Sequence, residues 1–412
     1  MPTATVSTLT APGSTRSPLI GWLAVVSVMA GIFSIVTAEI LPIGLLTSIG
    51  SSFAISDGAA GLMMTVPGIL AAIAAPTVTV ATRRLDRRTM LCALMLLLAV
   101  ANLLAAVATA YWVMAVSRVL VGLVIGGFWS IGAGLAVRLV RPERVGTATA
   151  VIFSAVPLGS VLGVPAGTLI GHLAGWRAAF VVLGVMAMAV FVALVALVPK
   201  LPADQVTRLS VLGGLLRSRG TWTALALTFL VVLAHFGTYT YVTPFLQQVT
   251  RVGPGQITTF LLVYGVAGIV GNFVAGAVVT RAVKATFAVS GLMIACSTLL
   301  LPVLGGSQAG ALALLVVWGL AYGAVPVCSQ TWFAASAPHA TEAAAILFTS
   351  SFQATIAAGA LLGGIMVDAA SPSAAMTTGG AIALLMAVTA GLTAAASAFG
   401  GSGRGAMRWI RP

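Results

Sequence analysis

Twelve apolar runs, each long enough to cross a bilayer as a helix, follow one another along the chain at 20–46, 58–81, 89–110, 112–137, 146–171, 176–198, 221–247, 257–280, 285–304, 310–336, 342–367 and 374–398. About 20 such residues span roughly 30 Å of hydrocarbon. In lipid a backbone must satisfy its own N–H and C=O groups, which a helix does within one segment. The alternating apolar and polar residues of a membrane barrel are absent. Hydrophobic residues make up 60% of the chain and charged residues 7%, with mean hydropathy +1.13, against roughly 25% charged in soluble domains. The expected fold class is all-α integral membrane: a bundle of twelve transmembrane helices.

The net charge of +13, from 20 Lys and Arg against 7 Asp and Glu, follows from topology. Positive residues are retained in cytoplasmic loops. With both termini cytoplasmic, all of the basic residues except Arg118, Arg177 and Arg251 fall on the inner side. No soluble basic domain exists to carry nucleic-acid binding, so that class is set aside. Residues 1–17 are too polar for a signal peptide and read as a cytoplasmic tail, as do residues 399–412. Cys92, Cys296 and Cys328 lie in spans at unrelated spacings, which suggests neither a disulfide framework nor a metal site. Each reads as a small core residue.

The longest polar connection, 199–220, has six runs on either side and reads as a cytoplasmic linker between an N-terminal bundle, 18–198, and a C-terminal bundle, 221–398. The two stretches match weakly at a nearly constant separation. Thr82-Arg83 corresponds to Thr280-Arg281, Gly122 and Gly126 to Gly319 and Gly323, and the segment from Glu39 to Pro42 to that from Tyr241 to Pro244. Like-oriented repeats of this kind imply a pseudo-two-fold axis along the membrane normal, with a solute site between the halves near mid-membrane. In the fifth run Gly159, Gly163, Gly167 and Gly171 recur on one helix face and let a second helix approach closely. Pro165 opens the backbone ladder there and permits a bend.

These residues, in this order, carry a resemblance. Thr37-Ala-Glu39-Ile-Leu-Pro42-Ile-Gly44, the basic loop Arg83-Arg84-Leu85-Asp86-Arg87-Arg88, Arg118-Val-Leu-Val-Gly122, the Gly/Pro run of span five, Gly175-Trp176-Arg177 and the segment His235 to Tyr241 resemble the major facilitator superfamily. Within it the chain is similar to the twelve-span drug/proton antiporters, in the branch of sugar and arabinose efflux permeases. Two of the usual motifs are departed from: Val78 and Thr82 stand where Gly and the first Asp of the loop after span two would be, and Val164 separates Gly163 from Pro165. The resemblance implies a secondary transporter that exports a small organic solute such as a drug, sugar or nucleoside in exchange for protons by alternating access, with no cofactor, and a monomer in the bacterial cytoplasmic membrane. Solute uptake or facilitated diffusion is the alternative within transport.

Glu39 is the leading site candidate, because the stretch from Leu19 to Ile49 is otherwise free of ionisable groups and a carboxylate at membrane depth costs several kcal/mol without a partner, water or a proton. It is read either as a proton-coupling group or as a structural carboxylate paired with a neighbouring helix. Arg118 is read as its countercharge or as a tie between span four and spans one and two. His235 could relay protons or be a hydrogen-bonded core residue. Phe128, Trp129, Tyr239, Tyr241, Gln330, Trp332 and Gln353 could line an aromatic and amide-rich cavity, although each could equally be packing. Asp86, Arg87 and Arg88 are either a topogenic charge cluster or part of a gate on the inner side.

Other classes lack their marks. A membrane transferase would show clustered acids, histidines or a nucleophile at one face, and a nucleotide-driven pump would show a phosphate-cradling loop; the chain has neither. A receptor or channel is disfavoured by the tandem repeat.

Overall fold

The computed structural model describes residues 18–82, 85–129, 135–202, 219–336 and 341–405. The first tail, Arg83, Arg84 and most of the linker therefore lie outside the described residues. The described chain is helical throughout, without strands. The first part comprises α1 (Pro18–Phe53), α2 (Asp57–Ala60), α3 (Leu62–Ala81), α4 (Arg87–Ala106), α5 (Tyr111–Trp129), α6 (Ala136–Leu139), α7 (Val145–Ala174) and α8 (Trp176–Leu197). The second comprises α9 (Arg219–Tyr239), α10 (Val242–Gln248), α11 (Pro254–Leu304), α12 (Gln308–Ser336), α13 (Thr341–Ala369) and α14 (Pro372–Gly405).

Among the described residues eleven helices are long and apolar enough to cross a membrane, one fewer than the number of apolar runs. The difference lies in α11, which contains two of the runs joined at Ala282, where φ is −149° and ψ is 51°. The ladder is bent there without a separating loop. The single helix of 51 residues thus holds two spans, since about 20 suffice for one.

Two apolar cores form. One draws almost wholly on α1 to α8, from Ala24 to Leu201, and the other mainly on α9 to α14, from Ala224 to Ala390. The two groups of helices meet where α3 packs on α13 and α7 on α11. One end of the bundle, here the distal face, is tied by bonds from Tyr111 Oη to the Ala59 carbonyl at 2.6 Å, Trp176 Nε1 to Ser52 Oγ at 2.9 Å and Arg177 Nη2 to the Ala108 carbonyl at 2.9 Å. The opposite end carries the start of α4, the end of α8 and residues 198–202, joined by Leu201 N to Asp86 Oδ2 at 2.6 Å and Arg138 Nη1 to the Pro202 carbonyl at 2.7 Å.

Candidate functional site

A proline inside a helix removes the N–H that would serve the carbonyl four residues earlier. Pro42 of α1 does this to Ala38, the neighbour of Glu39. The fully buried Arg118 of α5 fills the gap: its Nη1 donates to the Ala38 carbonyl at 3.1 Å and its Nε to Ser117 Oγ at 3.2 Å. The guanidinium also lies over the Phe180 ring of α8, 5.1 Å from the centroid, and its Nη2 is buried without a partner. Arg118 thus serves the backbone next to Glu39, while the Glu39 carboxyl is directed at the other group of helices.

That carboxyl is buried and lies within hydrogen-bonding reach of the Gln353 side chain on α13. Gln353 is itself buried, and its Oε1 has no partner, which leaves its N–H end for Glu39. Its place depends on Gly68 of α3: a Cβ there would stand 2.8 Å from the Gln353 carbonyl. Only with hydrogen at that position can α13 pass so close to α3.

Tyr322 of α12 lies within electrostatic reach of the same carboxyl and begins an aromatic wall. Its ring stacks on His235, with centroids 3.3 Å apart and planes at 6°. Tyr239 stacks on His235 at 5.1 Å, and Tyr264 on Tyr239 at 4.5 Å. Trp318 Nε1 donates to His235 Nδ1 at 3.2 Å. An imidazole nitrogen that accepts carries no proton, so the neutral ring holds its hydrogen on Nε2. A second proton on His235 would require breaking the tryptophan bond. The geometry is that of a partnered core histidine at the edge of the Glu39 site.

A buried acid on one group of helices thus faces an amide and an aromatic wall on the other. The sequence profile of the Major Facilitator Superfamily matches residues 22–354. The chain belongs to that superfamily. It is accordingly a membrane transporter rather than an enzyme. Among solved structures, it is similar to the human organic anion transporter MFSD10 (TETRAN), with 18% identity, TM-score 0.66, and 91% of this chain and 100% of that one covered. It is also similar to a bacterial homolog of the human lysosomal transporter Spinster. The inward-facing, unoccupied form gives 14% identity and TM-score 0.67, and the inward-facing, occupied form 14% and 0.69; each covers 92% of this chain and 96% of that one. At these identities the likeness is one of fold.

Other residues singled out from the sequence sit elsewhere in the transporter. Phe128 is packed inside the first core, against Gly31, and the half-buried Trp129 pairs with Phe153 at 6.4 Å. Trp332 packs on Phe287 at 6.1 Å, and Gln330 is exposed. Tyr241, fully buried, donates to the Ala360 carbonyl at 2.7 Å and wedges towards the distal face between Gly61 and Gly364. Asp86 caps α4, accepting from Thr89 N at 3.2 Å as well as from Leu201 N. Arg87 N donates to the Leu201 carbonyl at 2.8 Å, and Arg88 reaches the Val195 carbonyl. This basic cluster therefore ties α4 to the end of α8 within the first group. Gly159, Gly163 and Gly167 lie against Val36, Thr37 and Leu41 of α1, so the glycine face and the buried Pro165 bring α7 onto the helix that carries Glu39.

Tyr264, Trp318 and Tyr322 were not among the sequence candidates. A signal existed: the chain has only five tyrosines, and a hydroxyl-bearing ring inside an apolar run calls for a partner just as Glu39 does.

Proposed function

We propose that this transporter exports a small organic solute in exchange for protons, with Glu39 as the proton-carrying group. The supporting observation is the placement of Glu39. It is a buried carboxyl without a cationic partner among the described residues, lying between the two groups of helices and facing Gln353 and Tyr322. Such a group is stable protonated when enclosed and ionised when wet, so a change of access on either side moves a proton. Uphill export needs a source of energy, and a carboxyl reached alternately from each side links proton entry to solute exit. Tyr322, the half-buried member of the aromatic wall, offers flat apolar surface to the solute, with the Gln353 amide supplying a polar contact.

The same reading places two pseudo-symmetric six-helix bundles in a bacterial cytoplasmic membrane, with the distal face outside and both termini and the linker at 199–220 inside. Eighteen of the 20 basic residues are arginine, in keeping with a GC-rich bacterial genome. The solute is to be found by screening sugars, nucleosides and hydrophobic antibiotics in an efflux-deficient host. With the solute in hand, Glu39→Gln keeps size and one hydrogen-bonding oxygen but cannot titrate. In everted vesicles it should retain counterflow exchange and lose proton-driven accumulation. Full proton-driven accumulation by Glu39→Gln would remove the carboxyl from the coupling step.

A further inference from the structure

The distal face is shut by a small set of polar contacts between the two groups of helices. The chain leaves α1 through Ala54, whose φ of +52° is the left-handed conformation that side chains adopt reluctantly. Ile55 N closes the turn on the Gly50 carbonyl at 3.0 Å, in the manner of a helix C-cap. The turn presents Ser56, Asp57 and Gly58 to the second group. There Asp368, at the end of α13, accepts from Ser56 Oγ at 2.6 Å and from Gly58 N at 2.9 Å. The same Ser56 oxygen accepts from Ala59 N at 3.1 Å, capping α2, so one hydroxyl completes the helix and holds the carboxylate. A Cβ on Gly58 would stand 2.4 Å from Asp368 Oδ2 and 2.5 Å from the Gly364 carbonyl. The fit therefore requires glycine.

A second strap lies beside the first. Gln248 Nε2, at the end of α10, donates to Asp57 Oδ2 at 3.0 Å. Below both, away from the rim, Thr243 Oγ1 donates to the Ile43 carbonyl at 2.9 Å, and the side chains of Ile43 and Thr243 are buried. Asp368, Ser56 and Gln248 are exposed, whereas the seam beneath them is dry. Hydrogen bonds to a charged acceptor are stronger than neutral ones, but at a wet rim water competes for both partners. The contacts are therefore reversible.

We propose that Asp368, clamping Ser56 and Gly58, is the latch that holds the distal face closed, with the bond from Gln248 to Asp57 as its second strap. An opening motion must release both before the seam at Ile43 and Thr243 can part. The inference rests on the reading above only for which face is outside, and it needs neither Glu39 nor the solute.

The experiment is labelling of a buried reporter. In a background with Cys92, Cys296 and Cys328 replaced by serine, Ile43→Cys is treated with a membrane-impermeant maleimide on right-side-out and on inside-out vesicles. With the latch intact, labelling from the outside should be slow. Asp368→Asn keeps the shape but removes the charge and turns one oxygen into a donor that cannot accept from Ser56 or Gly58. It should raise the outside labelling rate at least five-fold, Ser56→Ala should raise it less, and Asp368→Asn combined with Gln248→Ala should exceed either. A rate within two-fold of the parent in Asp368→Asn and in the double variant would overturn the proposal. If Asp368→Asn does not fold, Ser56→Ala with Gln248→Ala carries the same test, because both positions are exposed. Faster labelling from inside-out vesicles alone would uphold the latch and overturn the assigned orientation. Failure of Glu39→Gln to uncouple transport would leave this labelling result intact.

Discussion

Arg118 Nη1 donates to the Ala38 carbonyl at 3.1 Å, supplying from α5 the donor that Pro42 takes away inside α1. One residue further along α1, Glu39 is carried on a turn whose hydrogen bonding is completed by another helix. The arginine acts on the site through the backbone, holding the broken turn in one conformation while the carboxyl faces Gln353.

Arg118→Met keeps most of the volume and no donor, leaving a buried carbonyl unsatisfied at a cost of about 1–3 kcal/mol. Its Tm in detergent should fall, and transport with it. Arg118→Lys retains one donor without the planar fork and should lose less of both. Equal Tm and activity in the parent and both variants would assign the contact no role.

Gln353 offers Glu39 an amide N–H. Gln353→Leu removes that donor, so the ionised carboxyl loses a stabilising contact while the protonated one loses little. The pH profile of proton-driven transport should therefore move in Gln353→Leu. Gln353→Glu puts a second acid at the same spot and should shift it too, because two buried carboxylates resist ionising together. An unmoved profile in both variants would separate Gln353 from Glu39.

The bond from Trp318 to His235 predicts that the histidine is structural. His235→Asn can place an oxygen acceptor towards the indole and should keep transport within a few-fold and preserve its pH profile. Trp318→Phe removes the donor and should cost about 1 kcal/mol of stability. Loss of proton coupling in His235→Asn with the Tm unchanged would give the histidine a relay role instead.

Gly167 stands against Leu41, where a Cβ would lie 2.1 Å from Leu41 Cδ1. Gly167→Leu should push α7 from α1 and lower both Tm and the yield of monodisperse protein, by the 1–3 kcal/mol typical of overpacking. Gly276, with nothing within 4 Å of its would-be Cβ, provides the control: Gly276→Ala should leave Tm unchanged within a degree or two.

The spans were legible in the sequence because immersion in lipid is a local requirement. Any run of about 20 apolar residues must satisfy its backbone internally, and that holds whatever surrounds it. Even the join of two runs in one helix at Ala282 alters the count of helices and not the crossing. The anomaly of Glu39 was legible for the same reason, as a charge in the wrong solvent. What the sequence could not specify is how each helix is rotated about its axis. In these spans apolar residues surround the helix almost evenly, so hydropathy marks no single inward stripe. Only close packing, governed by glycines such as Gly68 and Gly167, decides which faces meet. That packing brought Gln353 and Tyr322 to Glu39 across two groups of helices, gave Arg118 to the Ala38 carbonyl, and stacked His235 into an aromatic wall. It also set Asp368 over Ser56 and Gly58, residues more than three hundred positions away in the chain.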